Sequence, residues 1–108
     1  MILRVGPLAD SPLDAAAQFH ADVLPRVGTA LAEAPALTLV FAAADHTHRG
    51  WRLAAVQALA RDYAPARING LEGDDPSAID AAAIYLSTAE GVTGQLLRLD
   101  GIGAGAML

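Results

Sequence analysis

The chain has 108 residues, a net charge of −5 from 12 acids against 7 arginines, and neither cysteine nor lysine. That size suits one domain around one core, the lack of cysteine excludes disulfides and thiolate metal sites, and an acidic chain without a basic patch excludes binding to nucleic acid or an anionic membrane. No apolar run reaches the roughly 18 residues of a membrane span, and residues 1–7 carry no signal-peptide run, so a cytoplasmic protein is expected.

The first β-like run is Ile2-Leu3-Arg4-Val5, closed by Gly6-Pro7. Ser11 then offers a helix cap, Pro12 suits a first helical position, and Asp14 completes a box-like start. A helix is expected over 12–33, with Phe19, Val23, Val27 and Leu31 as its buried stripe and a kink or break at Pro25. Residues 37–41, Leu-Thr-Leu-Val-Phe, form the strongest strand signal, a continuous apolar run of the kind buried on both faces. A helix over 46–63 follows, with Leu53, Val56, Ala60 and Tyr63 on one face and Trp51, Ala55, Ala58 and Asp62 elsewhere. Residues 67–71 read as a strand. Asp75 caps a third helix that has Pro76 first inside and carries Ile79, Ala83 and Leu86. A turn at 91–94 precedes a last strand at 95–99, and the tail 102–108 is apolar and glycine-rich.

Strands alternating with helices imply an α/β domain: a three-layer Rossmann-like fold with a four-stranded parallel sheet and helices on both faces. Right-handed crossovers are expected to lay the strands side by side in order.

Leu59-Ala60-Arg61-Asp62-Tyr63-Ala64-Pro65, followed by Arg67-Ile68-Asn69, resembles the "LALELAP…IRVN" stretch of the short-chain dehydrogenase/reductase family. Val92-Thr93-Gly94-Gln95 through Asp100-Gly101, after an alanine-rich helix, resembles that family's closing "VTGQ…VDGG". Val23-Leu24-Pro25 is similar to the "LLP" of the helix before its fifth strand. The resemblance spans 55–101 most closely and matches the C-terminal half of the family fold, strands four to seven. It implies a single truncated Rossmann-like domain over 1–108.

The resemblance also implies what is missing. The family holds its dinucleotide on a Gly-rich turn that opens a helix. Here the first strand is followed by Gly6-Pro7-Leu8-Ala9-Asp10, and the Gly101-Ile102-Gly103-Ala104-Gly105 run lacks both the spacing and the strand–turn–helix setting. The family's Tyr-x-x-x-Lys pair aligns with Asp45 and Arg49, and its Ser with Ala42-Ala43-Ala44. A carboxylate does not do the work of a phenol, and a guanidinium does not tune like an amine. Asn69-Gly70-Leu71-Glu72-Gly73 lacks the family's Pro-Gly and runs straight into Asp74-Asp75-Pro76, leaving no substrate lid.

Among the remaining groups, Asp45, His46 and His48 form the densest ionisable cluster, but two histidines two apart do not converge on a helix, and a solvated helix start capped by Asp45 or Thr47 is the simpler reading. His20 reads as a boundary residue, and Asp74-Asp75 as helix-terminus charge. Trp51, beside the small residues Ala55 and Ala58, suits a core or a subunit contact. The expectation is a degenerate, non-catalytic protein without cofactor or metal, acting through self-assembly or a protein partner, with a dimer expected in which Trp51, Ala55 and Ala58 form the interface. Two alternatives stand beside it: an accessory subunit of a full-length NAD(P)-dependent reductase, or a small-molecule binder at the C-terminal ends of the strands that uses Asp45, Arg49 and Asn69.

Overall fold

The computed structural model describes residues 1–99; the glycine-rich run at 101–105 and the tail lie outside them. Four strands, β1 (Ile2–Arg4), β2 (Ala36–Phe41), β3 (Arg67–Glu72) and β4 (Leu96–Arg98), form one parallel sheet in the order β1-β2-β3-β4. The helices are α1 (Pro12–Gln18), α2 (Leu24–Leu31), α3 (Arg49–Asp62) and α4 (Pro76–Thr88). The α/β class and the all-parallel four-stranded sheet are those expected.

Register sorts the side chains. Leu37, Leu39 and Phe41 pair with Ile68, Gly70 and Glu72 on one face, while Thr38 and Val40 pair with Asn69 and Leu71 on the other. The first face packs on the helical segment 19–23, α2 and α3 through Phe19, Val23, Val27, Val56 and Leu59. The second packs on α4 through Ile79, Ala83 and Leu86. β2 and β3 are apolar on both sides because both sides are covered.

This arrangement corrects the expected crossovers. Strands added in one direction by crossovers of a single hand would leave every helix on one face. With α4 opposite α2 and α3, the third connection has the hand opposite to the first two, so one crossover departs from the right-handed rule.

The irregularity expected at Pro25 is an interruption of α-helical winding just before it. A π-helical turn, Phe19–Val23, joins α1 to α2, and the Leu24 N–H donates to the Phe19 carbonyl five residues back. The wide turn falls just before Pro25, which has no N–H to contribute. It also explains the stripe. Residues spaced strictly by four drift by about 40° per step around a 3.6-residue helix, and a π turn takes that drift back. Phe19, Val23 and Val27 therefore all reach the core, while Leu31 is only half-buried.

The buried stripe of α3 is also different: Arg52, Ala55, Val56 and Leu59 face the sheet, and Tyr63 is 39% exposed. Ser11, Asp75 and Pro76 occupy the expected cap and first-turn positions of α1 and α4, though neither Ser11 nor Asp75 makes a side-chain cap bond. The carbonyls at the end of α4 are met from β3 instead, where Arg67 Nη1 donates to Leu86 and Ala89 at 2.9 and 2.8 Å.

Gly70 sits where α3 and β4 close on the sheet. A Cβ there would lie 2.8 Å from Leu96 Cδ1 and 3.1 Å from Val56 Cγ2. Gly70→Ala is expected to destabilise the fold by about 1–3 kcal/mol, read as a lower denaturant midpoint with an unchanged slope.

Candidate functional site

The C-terminal ends of β1, β2 and β3 meet the start of α3 at one end of the sheet. Three alanines carry the chain from Phe41 to Asp45, whose extended backbone (φ −73°, ψ 173°) caps a 3-10 turn, His46–His48, that feeds α3. Asp45 Oδ1 accepts from the Thr47 N–H at 2.9 Å and from the Thr47 hydroxyl. These hydrogen bonds, the hydroxyl's first, hold the Asp45 carboxyl below its ordinary value of 3.8. At neutral pH it is a carboxylate committed to its own helix start, with no proton to give.

His48 is buried behind it. Trp51 can only donate, and its Nε1–H reaches His48 Nδ1 at 3.1 Å; the Asp10 carbonyl can only accept, and lies 2.9 Å from His48 Nε2. With Nδ1 accepting from Trp51, Nε2 donates to the Asp10 carbonyl, and the ring is a strut tying α3 to the loop after β1. Among the described residues no group of three or more His, Cys, Asp or Glu is placed to hold a metal.

The strongest electrostatic feature is one the sequence reading passed over. Glu72 ends β3 on the α3 face, 7% exposed, and receives two arginines: Arg49 on Oε1 and Arg52 on Oε2, each at 3.1 Å. Arg52 is 5% exposed and also donates to the Ala42 carbonyl at 2.9 Å. Its guanidinium carbon lies over the Phe41 ring, 4.8 Å from the centroid. Arg49, at the position the resemblance gives to a lysine, is half-exposed and also donates to the Leu96 carbonyl. Only the three-residue step from Arg49 to Arg52 hinted at this in the sequence, because a polar residue three from another on a helix reads as a solvent face. The Glu partner 20 positions away carried no signal.

Asp45, Arg49 and Asn69 are not brought together. Asn69 lies on the opposite face, 2% exposed, where its side-chain amide donates to Val92 and accepts from the Gln95 N–H. Trp51 is half-buried against Phe19 and Phe41, with centroids 5.5 and 5.9 Å away. Ala55, 5% exposed, belongs to this chain's own core, and Ala58 is half-buried at its margin. His20 bonds the Ala16 carbonyl at the surface. Asp74 is more than terminus charge: its Oδ1 accepts the Ala43 N–H at 3.0 Å and ties the β2 and β3 loops together.

A family model described as SDR-like, short chain dehydrogenase-like protein, matches residues 3–99. The chain belongs to this SDR-like family. Comparison with curated proteins and with solved structures finds no match. In this SDR-like protein the residues that carried the resemblance build the entry to the last strand. Thr93 Oγ1 accepts the Ile68 N–H, the Gly94 N–H reaches the Ile68 carbonyl, and Gly94 takes the left-handed φ of +74° that the turn requires.

The residues present do not fit a dinucleotide pyrophosphate at the first strand–helix turn. Pro12 opens α1 without an N–H, and the Ala9 N–H is already taken by Gln18 Oε1 at 2.7 Å.

Removing Glu72 leaves two cations facing each other, one of them buried. Glu72→Ala is expected to cost about 3–5 kcal/mol, while Arg49→Ala, at an exposed pair, costs at most about 1 kcal/mol; urea denaturation of both variants checks the ordering. Because the Asp45 carboxyl is depressed, its contribution to stability holds above the ordinary value of 3.8 and fades as pH falls through the lower folded value. Asp45→Asn should therefore flatten the acid limb of the stability–pH curve and leave its neutral region parallel to wild type.

Proposed function

We propose that this SDR-like protein performs no hydride transfer of its own and acts by assembling with a second copy of itself. The observation that carries the reading is the engagement of the two residues aligned with the family's Tyr and Lys. Asp45 is spent on Thr47, and Arg49 on Glu72 and the Leu96 carbonyl. A proton donor near neutral pH and a tunable amine are the groups this chemistry needs, and neither residue type supplies them.

Assembly is supported by the half-covered face of the sheet. α4 packs over Val40 and Leu71, leaving Ile2 (42% exposed) and Ile84 (69% exposed) beside a cavity of about 680 Å³ between α4 and the start of β2. Ala34, Pro35, Thr38 and Ala83 add to its wall, and β1 is an edge strand among the described residues. Apolar side chains around a concave surface next to a free edge suit a self-complementary contact. A stable interface buries about 600–1,000 Å² on each partner, a modest share of the 6168 Å² surface. The helix-pair contact expected from Trp51, Ala55 and Ala58 is the second route, favoured by the half-exposed Trp51. Ala58 is its testing position, since Ala55 supports the fold itself.

Light scattering at micromolar concentration should give a dimer mass. Ile84→Arg should weaken it at least about tenfold, or roughly 1.4 kcal/mol, with thermal stability of the monomer retained; Ala58→Arg should do so if α3 forms the contact instead. A wild-type monomer overturns self-assembly. Calorimetric titration with millimolar NADH and NADPH should give no saturable heat, and a one-site isotherm overturns the non-redox reading.

A further inference from the structure

The single asparagine of the chain, Asn69, is followed by Gly70. This is the dipeptide in which an asparagine amide is most readily lost, because a glycine leaves its backbone nitrogen unhindered in reaching the side-chain amide carbon before it. The fold demands both members of the pair. A Cβ at residue 70 would meet Leu96 Cδ1 at 2.8 Å and Val56 Cγ2 at 3.1 Å. Asn69 holds the 92–95 turn with a donor and an acceptor together: Nδ2 donates to the Val92 carbonyl at 2.9 Å, and Oδ1 accepts the Gln95 N–H at 3.0 Å.

In the docked sheet the reaction is blocked at both of its atoms. The nucleophile is the Gly70 nitrogen, whose hydrogen is engaged by the Gln95 carbonyl at 2.8 Å. The electrophile is Asn69 Cγ, part of an amide pinned by the two bonds above in a residue 2% exposed. The Gly70 N–H lies in the sheet toward β4, while the Asn69 side chain stands out from it. All of these restraints come from the turn and strand at 92–98. β4 is three residues long and is an edge strand among the described residues. An edge element of that size opens at lower cost than the whole fold.

We propose that Asn69–Gly70 is a deamidation site held in check by docking of the 92–98 segment, and that modification there prevents the segment from docking again. When the segment lifts, the Gly70 nitrogen gives its proton to solvent base and attacks Asn69 Cγ. The new N–C bond replaces the bond to Nδ2, which leaves as ammonia after taking a proton from water. Water then opens the cyclic imide at either of its two carbonyls. One product is an aspartate, whose carboxylate cannot donate to the Val92 carbonyl and would bury a charge beside it. The other is an isoaspartate, whose main chain runs through the former side chain and is one methylene longer. That surplus atom falls inside β3, between its pairings with β2 and β4, and breaks the register from Asn69 onward. The proposal rests on neither assembly nor redox chemistry, and its co-reactant is water.

The test incubates the full wild-type chain in mildly alkaline buffer without urea, in urea below the unfolding transition, and in denaturing urea. Peptide mapping by mass spectrometry reads the exchange of amide nitrogen for oxygen at residue 69. The rate should be at least about tenfold lower without urea than in denaturing urea, and should climb with urea before the global transition begins. Thr93→Ala removes the acceptor of the Ile68 N–H and loosens the turn; it should raise the rate without urea about threefold or more. Deamidated wild-type chain, separated by anion exchange, should lose hydrogen-exchange protection at the Gly70, Gly94 and Leu99 amides, which bond across β3 and β4. Asn69→Asp should lose it at the same amides. No conversion in denaturing urea overturns the site. An equal rate without urea, or a rate that climbs only through the global transition, overturns the local control. Wild-type protection in the deamidated chain overturns the block to docking, whether or not Asn69→Asp folds.

Discussion

An arginine on the sheet-facing side of a helix needs a counter-charge at the sheet, and the C-terminal end of this sheet is arranged around that need. Arg52 is the first buried residue of α3, one turn before Ala55 and Val56 and two before Leu59, which present apolar side chains to the core. Its head is too expensive to leave unpaired in that setting. Glu72 supplies the charge because β3 runs one residue beyond the apolar segment and its last side chain points to the α3 face. Phe41, opposite Glu72 in register, gives the guanidinium a flat surface. The end of β2, the end of β3 and the first turns of α3 thus share one electrostatic joint, and Arg49 extends it to β4 through Leu96.

The residues by which the family was recognisable do something else. Val92-Thr93-Gly94-Gln95 and Ile68-Asn69 are bonded to one another by side chain and backbone, at the opposite end of the strands from the Arg52 joint. They set the register of β4 on β3. A motif of this kind is a statement about strand pairing, which is why it survives in a chain whose residues aligned with the family's catalytic pair have other occupations.

Legibility in the sequence followed local physics. β2 announced itself by an uninterrupted apolar run, α4 by Asp75-Pro76 and the spacing of Ile79, Ala83 and Leu86, and all three of those side chains are buried. What depended on distant partners was hidden. The α3 stripe was misplaced because Arg52 counts as polar until Glu72 is beside it. The hand of the third crossover is invisible to any periodicity, since it concerns which face a helix takes and not whether it forms. Ser11 was identified by position alone, and the carbonyl at that residue, not the hydroxyl, takes up the Ala15 N–H. The π turn did leave a trace, in apolar residues spaced by an unvarying four, a period that an α-helix does not keep.

That turn couples two positions separated in chemistry. A π turn amounts to an α-helix with one residue too many, and ordinarily such an extra residue can be lost by a single deletion that restores regular winding. Here Pro25 follows at once. Shortening the segment by one would return the proline to an interior helical position, where its ring and missing N–H disrupt the ladder by about 3 kcal/mol or more. The length of this helix and the identity of residue 25 are therefore heritable only as a pair: a shortened descendant must replace the proline in the same step, and a chain that keeps Pro25 must keep the surplus residue that accommodates it.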